Sequence, residues 1–171
     1  MRNKINWKVL SGDPKIKSIL ILKSNIDRIY WPTLSRNPNP LAIQIMKDNL
    51  DIFKQKMTPF DWCYFFESSI SIHFLDLLSD KIHKSGISGN EHPKAIKFLE
   101  SNQDKIYWPT LSKNPAAIDI LKANQDKIVW DNLSENPAAI ELLIQNQDKI
   151  NWFNLIKNPN PLIHNIVKVR K

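Results

Sequence analysis

The chain has 171 residues, enough for one ordinary domain that buries roughly 70% of the surface its unfolded form exposes. Its 42% apolar and 24% charged residues suit a soluble globular protein, while three glycines against eleven prolines argue against hairpin-rich folds and phosphate-cradling loops. The single cysteine, Cys63, excludes an internal disulfide and a cysteine-held metal cluster, and no stretch approaches a signal peptide or the ~18 apolar residues of a membrane span, so a soluble cytoplasmic protein with no membrane partner is expected.

Read in chain order, one phrase returns about seven times, and such self-similarity takes precedence over any single motif. A worn first copy holds Trp7, Leu10, Ser11 and Asp13-Pro14. The second runs Asp27-Arg28-Ile29-Tyr30-Trp31-Pro32-Thr33-Leu34-Ser35 into Asn37-Pro38. A third has Trp62 and Phe65, with Ser68-Ser69 where Asn-Pro would stand. The fourth has Asp80-Lys81-Ile82, no Trp, and what reads as an insertion at 85–91 before His92-Pro93. The last three begin at Asp104, Asp126 and Asp148, and their Trp108, Trp130 and Trp152 fall 22 residues apart.

Each unit can be assembled from local chemistry. Asn114 is a good N-cap, and Pro115 suits the first helical position, where a missing N–H costs nothing. Ala116, Ala117, Ile118, Ile120, Leu121 and Ala123 then make a helix of about nine residues, too short to stand alone. Asn25, Asn102, Asn124 and Asn146 are expected to end such helices as left-handed caps. Asp126 and its counterparts Asp27, Asp80, Asp104 and Asp148 are expected to cap a second, shorter helical turn, 3₁₀ in character, that carries Ile128, Trp130 and Leu133 inward. Neither helix buries its apolar side alone, so neighbours must stack. The fold class expected is all-α: a short α-solenoid forming a single repeat domain over 1–171, with Ile106, Trp108, Leu111, Ile118 and Leu121 as core ladders and an irregular middle at 50–92.

The phrase Asn37-Pro38-Asn39-Pro40-Leu41, echoed at Asn158-Pro159-Asn160-Pro161-Leu162, resembles leucine-rich variant repeats. That resemblance implies one α-helix and one short 3₁₀ helix per repeat in a right-handed superhelix. The Trp-x-x-Leu-Ser-x-Asn-Pro phrase is more similar to short helical repeat proteins of large, mimivirus-like DNA viruses of amoebae, which implies a host-cytoplasm or virion location. The founding variant-repeat protein carries an iron–sulfur cluster on extra cysteines, and this sequence has none to supply.

No catalytic constellation emerges. His73, His83, His92 and His164 lack metal-ligand spacing, although His83 and His92 flank the apparent insertion, which holds Glu91. Cys63 lies among Trp62, Tyr64, Phe65 and Phe66 and reads as a small buried hydrophobe. Seven of the sixteen aromatics fall in the irregular middle. Some must replace core Leu and Ile, and Phe60, Trp62, Tyr64 and Phe66 are the candidate partner-binding residues if they face solvent.

A row of Arg28, Lys81, Lys105, Lys127 and Lys149, each following an Asp, is the candidate polyanion site or else a solvated edge. The net charge of +7 sits at the ends: +5 over 1–23, +4 over 157–171 and −2 between, whereas a chain tracking phosphates would carry the excess on its body. Arg2, Lys4, Lys8, Lys15, Lys17, Lys168, Arg170 and Lys171 therefore read as charged caps on a soluble monomer. The function expected is a non-catalytic repeat scaffold for protein–protein interaction with no cofactor or metal; nucleic-acid or polyanion binding is the alternative.

Overall fold

The structure is a computed structural model describing residues 4–164 and 166. The described residues form helices and turns with no strand, and the chain divides into two compact units, Met1–Ile82 and His83–Lys171.

The first unit holds α1 (Trp7–Gly12), α2 (Ile16–Lys23), α3 (Trp31–Leu34), α4 (Pro40–Asp48), α5 (Leu50–Lys56) and α6 (Pro59–Glu67), with 3₁₀ turns at Ile26–Arg28, Ser69–His73 and Ser79–Lys81. The second holds α7 (Lys84–Gly89), α8 (Pro93–Ser101), α9 (Trp108–Lys113), α10 (Ile118–Ala123), α11 (Trp130–Leu133), α12 (Ile140–Gln145) and α13 (Trp152–Leu155), with 3₁₀ turns at Gln103–Lys105, Pro115–Ala117, Gln125–Lys127 and Gln147–Lys149. The short helices that start at the Trp position pack on one another, α1 with α3, α7 with α9 and α9 with α11, and α2 packs with α4. At one such meeting, a Cβ on Gly12 would come within 2.9 Å of the Thr33 methyl, so α3 approaches α1 closely because that residue is glycine.

Two buried polar ladders join successive copies within each unit. The Asn of the first Asn-Pro in each copy that has one, Asn37, Asn114, Asn136 and Asn158, is buried and bonds in both directions. Asn114 donates through Nδ2 to Ser88 O (2.9 Å) and Asn90 O (3.1 Å), Asn136 to Ser112 O (3.0 Å) and Asn114 O (3.1 Å), and Asn158 to Ser134 O (3.0 Å) and Asn136 O (2.9 Å). In the first unit Asn37 does the same to Ser11 O and Asp13 O. Each Oδ1 accepts the N–H two residues on, as Asn114 does from Ala116. The serine before it forms the second ladder. Ser112 Oγ donates to Trp108 O and accepts from Val129 N–H, and Ser134 Oγ donates to Trp130 O and accepts from Asn151 N–H. Ser11 ties Trp7 O to Tyr30 N–H in the same way. Buried backbone groups that would otherwise be orphaned are thus satisfied by side chains of the neighbouring copy.

Several sequence-based expectations are corrected. The stretch 85–91 is no insertion: Lys84 takes the Trp position, and Ile87, Ser88 and Asn90 take the Leu, Ser and Asn positions of α7, all three buried. Two glycines disguise an ordinary copy. The helix-ending asparagines are not left-handed. Asn25, Asn49, Asn102, Asn124 and Asn146 have φ between −126° and −142°, and no described residue has positive φ. Each instead donates Nδ2 to the carbonyl four residues back, such as Ile120 O at 2.9 Å from Asn124, so the orphan acceptor is met without the strained conformation.

Asp27, Asp80, Asp104, Asp126 and Asp148 are not caps either. They sit exposed inside the 3₁₀ turns, which have no side-chain cap bond. Of the tryptophans, Trp31 and Trp62 are buried while Trp7, Trp108, Trp130 and Trp152 are half-buried. Ile106, Leu111, Leu121, Ile128 and Leu133 form the core as expected, but Ile118 is only half-buried.

Candidate functional site

The second copy departs from the pattern after Asn49. A seven-residue helix, α5, replaces the usual 3₁₀ turn, and α6 starts three residues before Trp62. Thr58 and Asp61 form a capping box: Thr58 Oγ1 accepts Asp61 N–H, and Asp61 Oδ2 accepts Thr58 N–H at 3.0 Å. Pro59 occupies the first turn, where its missing donor is harmless. The box takes Asp61 N–H, which precedes Trp62 as Tyr30, Val129 and Asn151 precede their tryptophans, and Ser35 Oγ turns to Pro32 O instead. The serine ladder is interrupted here.

Helix α6 divides its aromatics between two faces. Trp62, Phe65 and Phe66 point inward, where they join Phe53, Phe74 and Trp31 in a cluster of tilted and edge-on rings 5.2–6.1 Å apart, the geometry aromatic quadrupoles favour. Two of the four candidate partner-binding residues, Trp62 and Phe66, are therefore core and unavailable to a partner. Phe60 and Tyr64, one turn apart, are 69% and 40% exposed, with ring centroids 4.8 Å apart at 78°. Arg36, just past α3, lays its guanidinium 5.0 Å from the Tyr64 centroid. Arg36 is the residue that sequence reasoning missed. Its signal was register: it follows the ladder serine, as Lys113 and Glu135 do in their own copies.

The candidate cationic row does not present five free charges. Arg28 pairs with Asp27 at 3.0 Å, Lys81 with Asp80 at 3.6 Å and Lys105 with Asp104 at 3.4 Å. Lys127 lies 5.2 Å over Trp108 and reaches Asn124 Oδ1, and Lys149 lies 4.6 Å over Trp130 and reaches Asn146 Oδ1. The last two explain how half-buried tryptophans are tolerated, since each indole face is covered by an ammonium.

In the second unit Glu135 bridges Lys113 (2.8 Å) and Lys157 (3.3 Å), joining three copies. The hydrogen bond from Lys113, reinforced by Lys157, holds its carboxyl below the usual glutamate range. Lys54 does the same for Asp80, and Lys122 for Glu141. These are surface pairs that trim the fold.

Two of the histidines cap helices. His83 Nδ1 accepts from Gly86 N–H and His92 Nδ1 from Lys94 N–H, so both cap helices, α7 and α8. Cys63 is half-buried on α6. No group of three or more His, Cys, Asp or Glu among the described residues is arranged to hold a metal ion, and no described helix is long and apolar enough to cross a membrane. An open cleft of about 640 Å³ in the first unit, lined by Ile26, Asp27, Ile29, Trp31, Ile52 and Lys56, lies where α5 replaces the 3₁₀ turn. Lys4, Lys8, Lys15 and Lys17 are exposed as expected of charged caps, although Ile5, Val9, Ile16 and Leu20 are exposed among them. Arg2, Lys168, Arg170 and Lys171 lie outside the described residues.

These features define an all-helical protein with side-chain ladders between its repeated units. The chain matches no protein-family model, no curated protein and no solved structure.

Proposed function

We propose that the chain is a non-catalytic α-solenoid scaffold that holds another protein through the face of α6 carrying Phe60, Tyr64 and Arg36. The observation that carries this reading is an edge-on aromatic pair left in solvent with a guanidinium stacked on it, on a helix whose other aromatics, Trp62, Phe65 and Phe66, are buried. Rigid aromatics and Arg are the residue types that dominate interface energetics, and repeat proteins place binding residues where their consensus breaks. The ladders supply a stiff frame for that face. The resemblance of its Trp/Asn-Pro phrase adds the further proposal that the chain is one of the short repeat proteins of large DNA viruses, acting in host cytoplasm or virion.

The test is affinity capture from the cell that expresses the chain, with wild type compared against a Phe60→Ala/Tyr64→Ala variant. A partner retained by wild type and lost by the variant supports the reading; a partner retained equally by both refutes it. Polyanion binding gains no support from the cationic row, whose members are paired or stacked. Retardation of generic DNA at about 50 mM salt that fades as salt rises would revive that alternative.

A further inference from the structure

The first copy departs from the asparagine ladder at one residue. Counting back 24 residues from Asn37, the spacing that separates Trp31 from Trp7, leads to Asp13. Asp13 keeps half of the ladder geometry: its Oδ1 accepts the N–H two residues on, Lys15, at 3.1 Å, as each ladder Oδ1 does. Its other oxygen stands where the ladder asparagines carry Nδ2. Rather than donating to two carbonyls, it accepts Ser18 Oγ–H at 2.7 Å.

The first two helices expose apolar residues among their lysines. Val9 is 66% exposed and Ile21 is 41% exposed. Ile45, Ile120 and Leu142, which like Ile21 stand four residues before a helix-ending asparagine, are all buried. Leu10 is half-buried while its counterparts Leu34, Leu111 and Leu133 are fully buried. In the second unit, Ile156 and Asn158 occupy the positions of Ser134 and Asn136, the residues whose carbonyls accept from Asn158. Phe153 and Ile156 are exposed beside them.

We propose that Asp13 is the end-stop of the ladder, a specificity-determining residue that closes the outer face of the first unit to the Phe153/Ile156 face of a second copy of this chain. The proposal rests on the stacked-repeat reading and deepens it. A repeat docking on this face would aim its two ladder carbonyls at Asp13, as Ser112 O and Asn114 O are aimed at Asn136. Against asparagine they meet two N–H hydrogens. Against Asp13 they meet a carboxylate whose own oxygens are already held by Lys15 N–H and Ser18 Oγ–H, so two carbonyls would be buried without a donor and against a negative charge, the arrangement folded proteins avoid. The apolar residues of the face favour such docking, and the single exchange of a donor for an acceptor opposes it.

The experiment is Asp13→Asn in the full chain, followed by sedimentation velocity from micromolar to millimolar protein. The buffer holds about 0.15 M salt, so that exposed lysines on the two faces are screened beyond ~8 Å. Wild type is expected to keep one mass throughout, the variant to at least double its weight-average mass, and Val9→Asp added to Asp13→Asn to reverse the gain. Three results would overturn the end-stop: an Asp13→Asn chain that stays at the wild-type mass, an oligomer indifferent to Val9→Asp, or a wild type that already associates through Val9. Asn136→Asp separates this failure from failure of the underlying reading. If Asn136→Asp lowers the urea midpoint while Asp13→Asn stays monomeric, only the end-stop falls. If Asn136→Asp leaves the midpoint unchanged, the ladder itself does not hold the repeats together.

Discussion

Asn136→Ala tests the ladder where it is best formed. The side chain is fully buried and makes three hydrogen bonds: Nδ2 to Ser112 O at 3.0 Å and to Asn114 O at 3.1 Å, and Oδ1 from Ala138 N–H at 2.9 Å. Alanine leaves Ser112 O unmet away from water, takes one of the two donors of Asn114 O, which keeps Ala117 N–H at 3.2 Å, and frees the part-buried Ala138 N–H. At about 1 kcal/mol for each of the three bonds removed, the loss is about 3 kcal/mol. For a chain of this size that lowers Tm by about 6–12 °C. Urea unfolding followed by circular dichroism at 222 nm measures it, with Asn146→Ala as reference: Asn146 is half-buried and makes one comparable bond, to Leu142 O at 3.0 Å, so its removal should cost about 1 kcal/mol. A loss from Asn136→Ala no larger than that of the reference would mean that water replaces the amide, and the ladder would not be what joins the copies.

Other substitutions probe the remaining links. Phe66→Ala opens the aromatic cluster beside Trp62 and Phe65 and should cost 3–5 kcal/mol of unfolding free energy, roughly the usual range for buried aromatics. Phe60→Ala on the opposite face should stay within about 0.5 kcal/mol while abolishing partner capture. Ser112→Ala removes the acceptor of Val129 N–H and the donor to Trp108 O and should cost about 1–2 kcal/mol in the same assay. Acid titration of the urea midpoint tests the carboxylates. Glu135, Glu141, Asp80 and Asp13 all have folded-state pKa values lowered, mainly by hydrogen bonds from Lys113, Lys122, Lys54 and Ser18 respectively. A lowered carboxyl pKa adds stability that is present at neutral pH and lost as pH falls through the folded value, so Glu135→Gln should flatten the acid limb and change the neutral midpoint by under about 1 kcal/mol.

The sequence by itself determined the copies, the helical class and most of the Ile and Leu core, because these follow from residue spacing. The expected Asn-Pro helix starts hold for Asn39-Pro40 alone, since Asn114-Pro115 opens a 3₁₀ turn and α10 and α12 begin three residues after their prolines. Local chemistry also made the aromatic middle conspicuous. It could not separate Phe60 and Tyr64 from Trp62 and Phe66, because α6 extends three residues before Trp62 and the side chains that face Phe53 and Phe74 depend on that phase. The stretch 85–91 looked like a loop because glycine weighs against a helix when judged locally. Its Ile87, Ser88 and Asn90 are nonetheless in register, and burial against neighbouring helices outweighs the propensity of two glycines. The helix-ending asparagines were found, but their backbone was not, since a side-chain bond to the carbonyl four residues back competes with the left-handed cap and the sequence permits both. The double role of Asn114, Asn136 and Asn158 was beyond local reading. A cap is visible in the sequence, whereas the two carbonyls it also holds belong to the copy before, 22 to 26 residues away, and only packing brings them within reach.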